Sequence, residues 1–167
     1  MIEQVIFKQS IFTKNFEGDL SIIDKHIEHI VSFDKGRVVT NQGGYQSNYI
    51  TFGFDELIRS ILDGFKSINL NANLASFWLN INKGSDYNLS HIHGMDMWSV
   101  VYYHKVCCEK SPIVFSHLVP SVNQDRYTHA PKNQQIVYFP GTYPHAVLGC
   151  QGEDHQRISI AFNFSIL

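Results

Sequence analysis

The chain has 167 residues, of which 44% are hydrophobic, 13% aromatic and 17% charged. This length fits one ordinary domain, and the apolar fraction is sufficient for a sizeable core and too high for a disordered chain. Thirteen Lys and Arg residues against 15 Asp and Glu leave a net charge of −2, which argues against a surface for nucleic acid or anionic membrane. We therefore expect one soluble domain without nucleic-acid or membrane partners.

The N-terminal residues lack the pattern of a targeting segment. An acid stands at position 3, no clean apolar core ends in small residues, and no apolar run approaches the ~20 residues of a membrane span. The three cysteines, Cys107, Cys108 and Cys150, form no C-x-x-C pair, and their odd number suits a reducing compartment. These features predict a cytoplasmic protein.

Two amphipathic helices are predicted in the first half of the chain. The first is capped by Ser21, with these isoleucines on one face: Ile22, Ile23, Ile27 and Ile30. The second begins at Asp55 and carries this apolar stripe: Leu57, Ile58, Ile61, Leu62 and Phe65. Residues 43–53 between them are predicted to form a loop with one short strand.

Short strands are predicted from residue 75 onward. They cover residues 77–82, 98–106, 112–118, 135–139, 146–148 and 157–166. Helices followed by several short strands are typical of a mainly β fold, a sandwich or jelly roll backed by helices. We expect a single domain over residues 1–167, in which 1–70 form a helical N-terminal support and 75–167 the jelly-roll core.

The strand at residues 157–166 has two different faces. One face carries large apolar side chains: Ile158, Ile160, Phe162 and Phe164. The other carries Arg157 with small or polar residues: Ser159, Ala161 and Asn163. The apolar face is expected to pack on a second layer. The polar face either meets water or lines a ligand cavity, where the guanidinium of Arg157 would bind a carboxylate.

Histidines form an ordered set in the second half of the chain. On an extended segment, His91 and His93 lie on the same side, close enough to share a metal ion, although such a pair alone also occurs on surfaces without metal. His145 follows a Pro-Gly turn, and Arg157-x-Ser159 stands on the next strand. This ordered set is more specific than any of its parts.

The set resembles the 2-oxoglutarate- and Fe(II)-dependent oxygenases, and more narrowly a branch of oxygenases found in phages and bacteria. The pattern of that branch is W-x-N-x-N-x-x-G, N-x-x-H-x-H, S-G-V-Y-Y, F-P-x-x-x-x-H and R-I-S-I-x-F-N. The corresponding segments here are residues 78–84, 88–93, 99–103, 139–145 and 157–163, with a loose upstream match at 45–47. Val100 replaces the glycine of S-G-V-Y-Y.

The resemblance implies a double-stranded β-helix, also called a jelly roll or cupin-like fold, and a non-haem dioxygenase that uses Fe(II) and 2-oxoglutarate. The implied metal ligands, which are also the catalytic residues, are His91, His93 and His145. The implied residues for the far carboxylate of 2-oxoglutarate are Arg157, Ser159 and Tyr103.

Asn80 and Asn82 share one face of the predicted strand 77–82. Buried amides need partners, which are either a bound cosubstrate or a neighbouring loop backbone. We assign Asn82 to the cosubstrate site. Asn88 is expected to orient His91, while Tyr102 is expected in the core.

One departure from the family pattern concerns the metal site. The superfamily has a carboxylate ligand where this chain has His93, and Asp96 stands nearby at an unusual offset. Either residue could complete the site. The remaining histidines, at positions 26, 29, 104, 117, 129 and 155, are predicted to be exposed or solvated.

Three functions remain open at this stage. The first is a 2-oxoglutarate-dependent hydroxylase of a small-molecule or peptidyl substrate. The second is a three-His cupin-like metal dioxygenase that does not use 2-oxoglutarate, which the missing carboxylate favours. The third is a non-enzymatic jelly-roll module for binding or for a virion. A homodimer paired through an edge strand is compatible with all three.

Overall fold

The structure is a computed structural model that describes residues 9–107, 111–116, 126–150 and 155–167. In chain order the elements are β1 (Phe12–Asn15), α1 (Leu20–Phe33), β2 (Asn41–Gln42), β3 (Tyr45–Gln46), α2 (Asp55–Ser67), β4 (Ala72–Lys83), β5 (Tyr87–His91), β6 (Met97–Val106), β7 (Ile113–Ser116), β8 (Arg126–His129), β9 (Gln135–Pro140), β10 (His145–Val147) and β11 (Gln156–Ile166). The strands form a six-stranded sheet in the order β1-β9-β6-β11-β4-β3 and a five-stranded sheet in the order β2-β5-β10-β7-β8. All pairings are antiparallel, which confirms the predicted mainly β, jelly-roll fold.

Both helices cover the outer face of the six-stranded sheet. The main hydrophobic core lies between the two helices on one side and this sheet on the other. It includes these fully buried side chains: Ile23, Ile30, Leu57, Ile61, Phe65, Leu79, Tyr102, Ile136, Ile160, Phe162 and Phe164. A smaller cluster lies between the two sheets and contains Tyr103, Ile113, Phe115, Val137 and Phe139. Neither helix of the described part is long and apolar enough to cross a membrane.

The first helix begins differently from its prediction. Asp19 is the N-cap, and its carboxylate accepts a hydrogen bond of 2.8 Å from the Ser21 backbone N–H. Ser21 therefore lies inside the helix, and its backbone N–H is the donor that Asp19 caps. Ile22 is also misassigned, because it is 45% exposed, one residue and about 100° of rotation away from the buried Ile23.

Most predicted strands are present, with changed bounds. The strand predicted from residue 77 begins at residue 72, and that predicted for 112–118 covers Ile113–Ser116, with residues 117–118 outside the described part. The prediction missed β1, β2, β5 and β8, which are only two to five residues long. Residues 12–46 therefore contribute strands to both sheets as well as a helix.

His104 is not solvated as predicted. Its side chain is 8% exposed, and its Nε2 lies 2.7 Å from Asp24 Oδ1, while its Nδ1 lies 3.3 Å from the hydroxyl of Tyr102. Asp24 belongs to α1 and His104 to β6, so this imidazole connects the first helix to the six-stranded sheet. The contact joins residues 80 positions apart, which no local pattern reveals.

The strand β11 occupies the middle of its sheet, between β4 and β6. Its Arg157 is paired with Asn82, and its Ser159 with Asn80 on one side and Tyr103 on the other. Because side chains alternate along a strand, Arg157 and Ser159 share the face opposite to the helices. The register thus brings several of the predicted site residues to the inner face of the sheet.

Gly64 of α2 lies directly against Tyr138 of the sheet, and its replacement gives a stability prediction. A Cβ added there would collide with the hydroxyl of buried Tyr138, which donates a hydrogen bond of 3.4 Å to the Ile61 carbonyl. We expect Gly64→Ala to lower the free energy of unfolding by about 1–3 kcal/mol. In an open helix the same change raises it by roughly 1 kcal/mol.

Chemical denaturation of Gly64→Ala checks this expectation. The exposed Arg59→Ala in the same helix is the control and should change the stability little. Adding Tyr138→Phe should recover part of the loss, because it removes the colliding oxygen. Stabilisation by Gly64→Ala alone would show that α2 lies farther from the sheet.

Candidate metal centre

Three histidines converge between the two sheets. His91 ends β5 and His145 begins β10, and the two residues are directly paired in the five-stranded sheet. His93 lies two residues beyond β5. One nitrogen of each of the three imidazoles lies within 4.8 Å of the others, a spacing that one metal ion can bridge.

Hydrogen bonds define which nitrogen of two imidazoles is available. Nδ1 of His91 lies 2.7 Å from the Leu89 carbonyl, and Nδ1 of His145 lies 2.9 Å from the Tyr143 carbonyl. A carbonyl only accepts, so we assign the proton of each ring to Nδ1. This tautomer leaves the Nε2 lone pair free, as in proteins where a backbone carbonyl orients a metal-binding histidine.

A tight backbone arrangement positions the third imidazole. The His93 N–H donates to the Gly141 carbonyl at 2.8 Å, and the Gly141 N–H donates to the Met97 carbonyl at 2.7 Å. A Cβ on Gly141 would lie 2.7 Å from that Met97 oxygen, so no side chain fits there. The Pro-Gly turn after β9 therefore fixes the segment that carries His93 next to His145.

All three imidazoles are held in their neutral form. Burial, together with a smaller repulsion from His91, lowers the pKa of His145 to about 3 and that of His93 to about 4. Burial also lowers the pKa of His91. Since metal binding requires an unprotonated nitrogen, the site is poised for a metal at neutral pH.

Asp96, the alternative ligand, does not join this group. Its side chain is exposed, and within the described part of the chain the cluster able to hold a metal consists of the three histidines alone.

The histidines open on a cavity of about 210 Å³ between the sheets. Three of the four predicted cosubstrate residues, Arg157, Ser159 and Tyr103, line the same cavity. Asn82 does not line it. Asn80, which lies two residues before Asn82 on β4, does line the cavity.

Asn82 instead holds Arg157 in place. The Asn82 side-chain oxygen accepts a hydrogen bond of 2.8 Å from Nη2 of Arg157. Nη1 donates to the carbonyl and hydroxyl oxygens of Ser111 at 3.3 and 3.2 Å. Arg157 is 3% exposed, and its Nε is a buried donor without a hydrogen-bond partner in the described residues. An orphaned Nε–H beside a half-used Nη2 is the edge of a guanidinium that binds a carboxylate in bidentate fashion.

Two hydroxyl groups stand near this guanidinium. Tyr103 is 1% exposed, and burial raises its pKa to about 12, so its hydroxyl keeps its proton. Tyr103 and Ser159 are neighbours across β6 and β11, and neither hydroxyl has a hydrogen-bond partner among residues 9–107, 111–116, 126–150 and 155–167. Both are thus free to donate to a bound anion.

Among the described residues, Asn88 forms no hydrogen bond with His91, contrary to expectation. Its side chain accepts from Asn82 Nδ2 at 3.4 Å and donates to the Thr40 hydroxyl at 3.3 Å. Sequence reasoning also missed Arg37 and Tyr49, which lie on the cavity wall in a segment without periodicity. Trp78 was visible only as part of the family pattern, and its ring lies 5.9 Å from that of His93.

Comparisons with known proteins agree with this geometry. A family model described as "Putative 2OG-Fe(II) oxygenase" matches residues 76–163. The comparison with curated proteins finds no match.

Solved structures show the same fold at low identity. The viral collagen prolyl hydroxylase of Paramecium bursaria Chlorella virus-1, in complex with 2-oxoglutarate, is similar with a TM-score of 0.66 and 14% identity, over 93% of this chain and 96% of that one. A Pseudomonas putida prolyl-4-hydroxylase gives 0.62 and 13%, over 94% and 92%. HygX of Streptomyces hygroscopicus, with nickel, 2-oxoglutarate and hygromycin B bound, gives 0.67 and 7%, over 94% and 83%.

The residues present fit the cofactors of this family. Imidazoles are suitable ligands for iron, and one nitrogen of each ring lies within 4.8 Å of the others, while Nδ1 of His91 and of His145 is engaged by a backbone carbonyl. The orphaned Nε–H of Arg157 fits a carboxylate. With more than half of its length matched by the family model, the chain belongs to the 2OG-Fe(II) oxygenases, enzymes that depend on Fe(II) and 2-oxoglutarate.

Proposed function

We propose that this oxygenase hydroxylates a C–H bond of a small-molecule or peptidyl substrate bound in the cavity in front of His91, His93 and His145. One observation carries the proposal: the three neutral imidazoles and the buried Arg157 open on the same cavity. A metal site and an anion site in one enclosed space are what a 2-oxo acid needs in order to be held at both ends.

In this proposal the three histidines hold Fe(II) through one nitrogen each. Because no carboxylate stands among them, the ligands leave the double charge of the ion uncompensated. The anionic 2-oxo acid end of the cosubstrate would then supply the first negative charge at the metal.

Arg157, Ser159 and Tyr103 are proposed to hold the far carboxylate of 2-oxoglutarate. Nε and Nη2 of Arg157 would donate in parallel, and the two hydroxyls would add single hydrogen bonds. Asn82 and Ser111 are positioning residues, because they accept hydrogen bonds from the guanidinium but do not line the cavity.

When bound, Fe(II) and 2-oxoglutarate couple the oxidative decarboxylation of the cosubstrate to the transfer of one oxygen atom from O₂ into a substrate C–H bond. The chain contributes positioning and exclusion of water. Apolar side chains line part of the cavity, among them Val101, Ile113 and Phe139, and they would keep the reacting groups out of bulk solvent.

The substrate range of small molecules and peptides follows the structurally similar proteins. Two of these are prolyl hydroxylases, and a third was solved with hygromycin B bound. We further propose a cytoplasmic location, because three cysteines without a C-x-x-C pair suit a reducing compartment. A single domain is also proposed, because 167 residues is the length of one ordinary domain.

Anaerobic binding tests the proposal. Purified protein receives Fe(II) and then 2-oxoglutarate, and the visible charge-transfer band of a chelated 2-oxo acid is recorded. We expect a band that saturates at one equivalent of 2-oxoglutarate. Admission of O₂ should then convert 2-oxoglutarate to succinate.

The alternatives give different results in the same experiment. Metal binding without any response to 2-oxoglutarate would contradict the proposal and indicate a three-His dioxygenase that oxidises its substrate directly. Absence of metal binding would contradict both and indicate a binding module on an inherited scaffold.

A further inference from the structure

The cavity wall has a uniform charge character. Among the described residues of this wall, the ionisable side chains other than tyrosine are two arginines, Arg37 and Arg157, and the three histidines of the metal centre, with no Asp or Glu. A cavity lined by cations without carboxylates favours anionic ligands. Two separate arginines provide for two anionic groups, of which the far carboxylate of 2-oxoglutarate is one.

Arg37 differs from Arg157 in what its donors contact. Its Nε donates to the Ser47 carbonyl at 3.1 Å, and its guanidinium carbon lies 4.0 Å from the centroid of the Tyr49 ring. The two ion pairs of the described residues, Lys66 with Asp63 and His104 with Asp24, do not involve it. Within this part of the chain its Nη groups have no hydrogen-bond acceptor.

The segment that carries Arg37 is already ordered for binding. The Arg37 N–H donates to the Gln46 carbonyl at 2.7 Å. Asp34 accepts hydrogen bonds from the N–H groups of Gly36 and Asn48, which ties the two sides of this segment together. A guanidinium held by its Nε, a stacked ring and a braced backbone loses little freedom when it binds a ligand.

An aromatic path connects Arg37 to the metal centre. The Tyr49 ring that stacks with Arg37 lies 6.0 Å from the Trp78 ring, and Trp78 lies 5.9 Å from His93. Tyr49 is 59% exposed and Trp78 only 9%, so the path leads from the cavity mouth inward. Val39 and Ile92, both on the cavity wall and both exposed by more than half, add apolar surface at the mouth.

We propose that Arg37 binds a carboxylate or phosphate group of the primary substrate, while the adjoining apolar or flat part of that substrate packs against Trp78. This inference rests on the proposed function, in which Arg157 is occupied by 2-oxoglutarate. It assigns the substrate to a chemical class. The substrate is an anion whose charged group lies at Arg37 and whose reacting carbon lies on the other side of Trp78, toward His93.

Small aromatic probes test the assignment. Phenylacetate and phenyl phosphate carry the two anionic groups, and phenylacetamide is the neutral counterpart of phenylacetate. The protein contains two tryptophans, so Trp98→Phe leaves Trp78 as the single indole reporter. Trp98 packs on Phe12 and Phe65, away from the cavity wall.

The measurement is made on this Trp98→Phe protein with Mn(II) in place of Fe(II) and saturating 2-oxoglutarate, so that Arg157 is occupied. Calorimetry gives the affinity of each probe, and Trp78 emission reports where it binds. We expect an anionic probe to bind roughly tenfold more tightly than phenylacetamide, the effect of one charge-assisted contact. The anion that is preferred identifies the substrate group as carboxylate or phosphate.

Variants separate a specific contact from general attraction. Arg37→Gln should abolish the preference for anions without changing the affinity for Mn(II) or 2-oxoglutarate. Lys35→Gln removes an exposed charge of the same sign two residues away and outside the cavity wall, and it should preserve the preference.

Two failures are distinguishable. Two results from protein that still binds 2-oxoglutarate would overturn the role of Arg37: binding of both anionic probes no tighter than that of phenylacetamide, or an anion preference that survives Arg37→Gln. Failure of the same protein to bind 2-oxoglutarate at all would overturn the proposed function and this inference with it.

Discussion

Arg157→Gln is expected to raise the dissociation constant for 2-oxoglutarate by roughly 100-fold or more. The substitution removes the charge and the parallel donors Nε and Nη2, and two charge-assisted hydrogen bonds together contribute about 3 kcal/mol or more. Glutamine keeps most of the volume and an amide that can still contact Asn82 and Ser111. The measurement is the 2-oxoglutarate dependence of the charge-transfer band in the Fe(II)-loaded protein.

Two further variants define the origin of this loss. Asn82→Ala keeps the guanidinium of Arg157 but removes the acceptor that positions its Nη2, so we expect an intermediate loss of affinity. Arg59→Gln on the exposed face of α2 should bind 2-oxoglutarate like the wild type. Unchanged affinity in a well-folded Arg157→Gln protein would show that the cosubstrate carboxylate binds elsewhere.

His93→Ala is expected to weaken metal binding on the order of 100-fold or more, because it removes one of three ligands. Substitutions that only disturb the surroundings of a ligand typically cost 10- to 100-fold. His93→Asp should retain the metal, since it restores the two-histidine, one-carboxylate ligand set common in non-haem iron oxygenases. Calorimetric titration with Mn(II) under anaerobic conditions measures both.

Asp96→Ala is the matched variant for this experiment. Asp96 is exposed and outside the histidine group, so the affinity for Mn(II) should not change. His29→Ala, at an exposed position of α1, controls for adventitious metal binding by surface imidazoles. Loss of metal in Asp96→Ala together with its retention in His93→Ala would replace the three-His site by one that contains a carboxylate.

The strands that were predicted are those with a repeated pattern. The alternation along residues 157–166 identified β11 and the packing of its apolar face, while the polar face, left open between water and a ligand cavity, lines the cavity. The strands β1, β2 and β8 are too short for an alternation to be recognised, and β5, with five mostly polar residues, shows no clear alternation either. Their strand conformation depends on pairing with distant partners.

The site was predictable where residue type and order carry the chemistry. The sequence led to His91, His93, His145 and Arg157, and the fold brings all four to one cavity. The roles of the neighbours were less accessible. Whether Asn82 meets the cosubstrate or Arg157 depends on the register between β4 and β11, which no spacing along the chain determines.

Arg37 shows the limit of sequence reasoning more clearly. It lies in a segment without periodicity, and its importance arises from a ring stacked beneath it and from a cavity formed by residues far along the chain.

The central position of β11 has a consequence for synthesis of the protein. β11 lies between β4 and β6 and pairs with both. These two strands therefore cannot be joined into one sheet until residues 156–166 have left the ribosome. The nascent chain therefore carries all three histidines for some time before the strand that bears Arg157 arrives. During that interval β4 can pair only with β3, and β6 only with β9, so the sheet exists at most as two separate pieces with unpaired edges, a stage exposed to aggregation or to binding by chaperones. Closure of the sheet and completion of the anion site are the same event, so the cosubstrate pocket forms only when β11 joins the sheet.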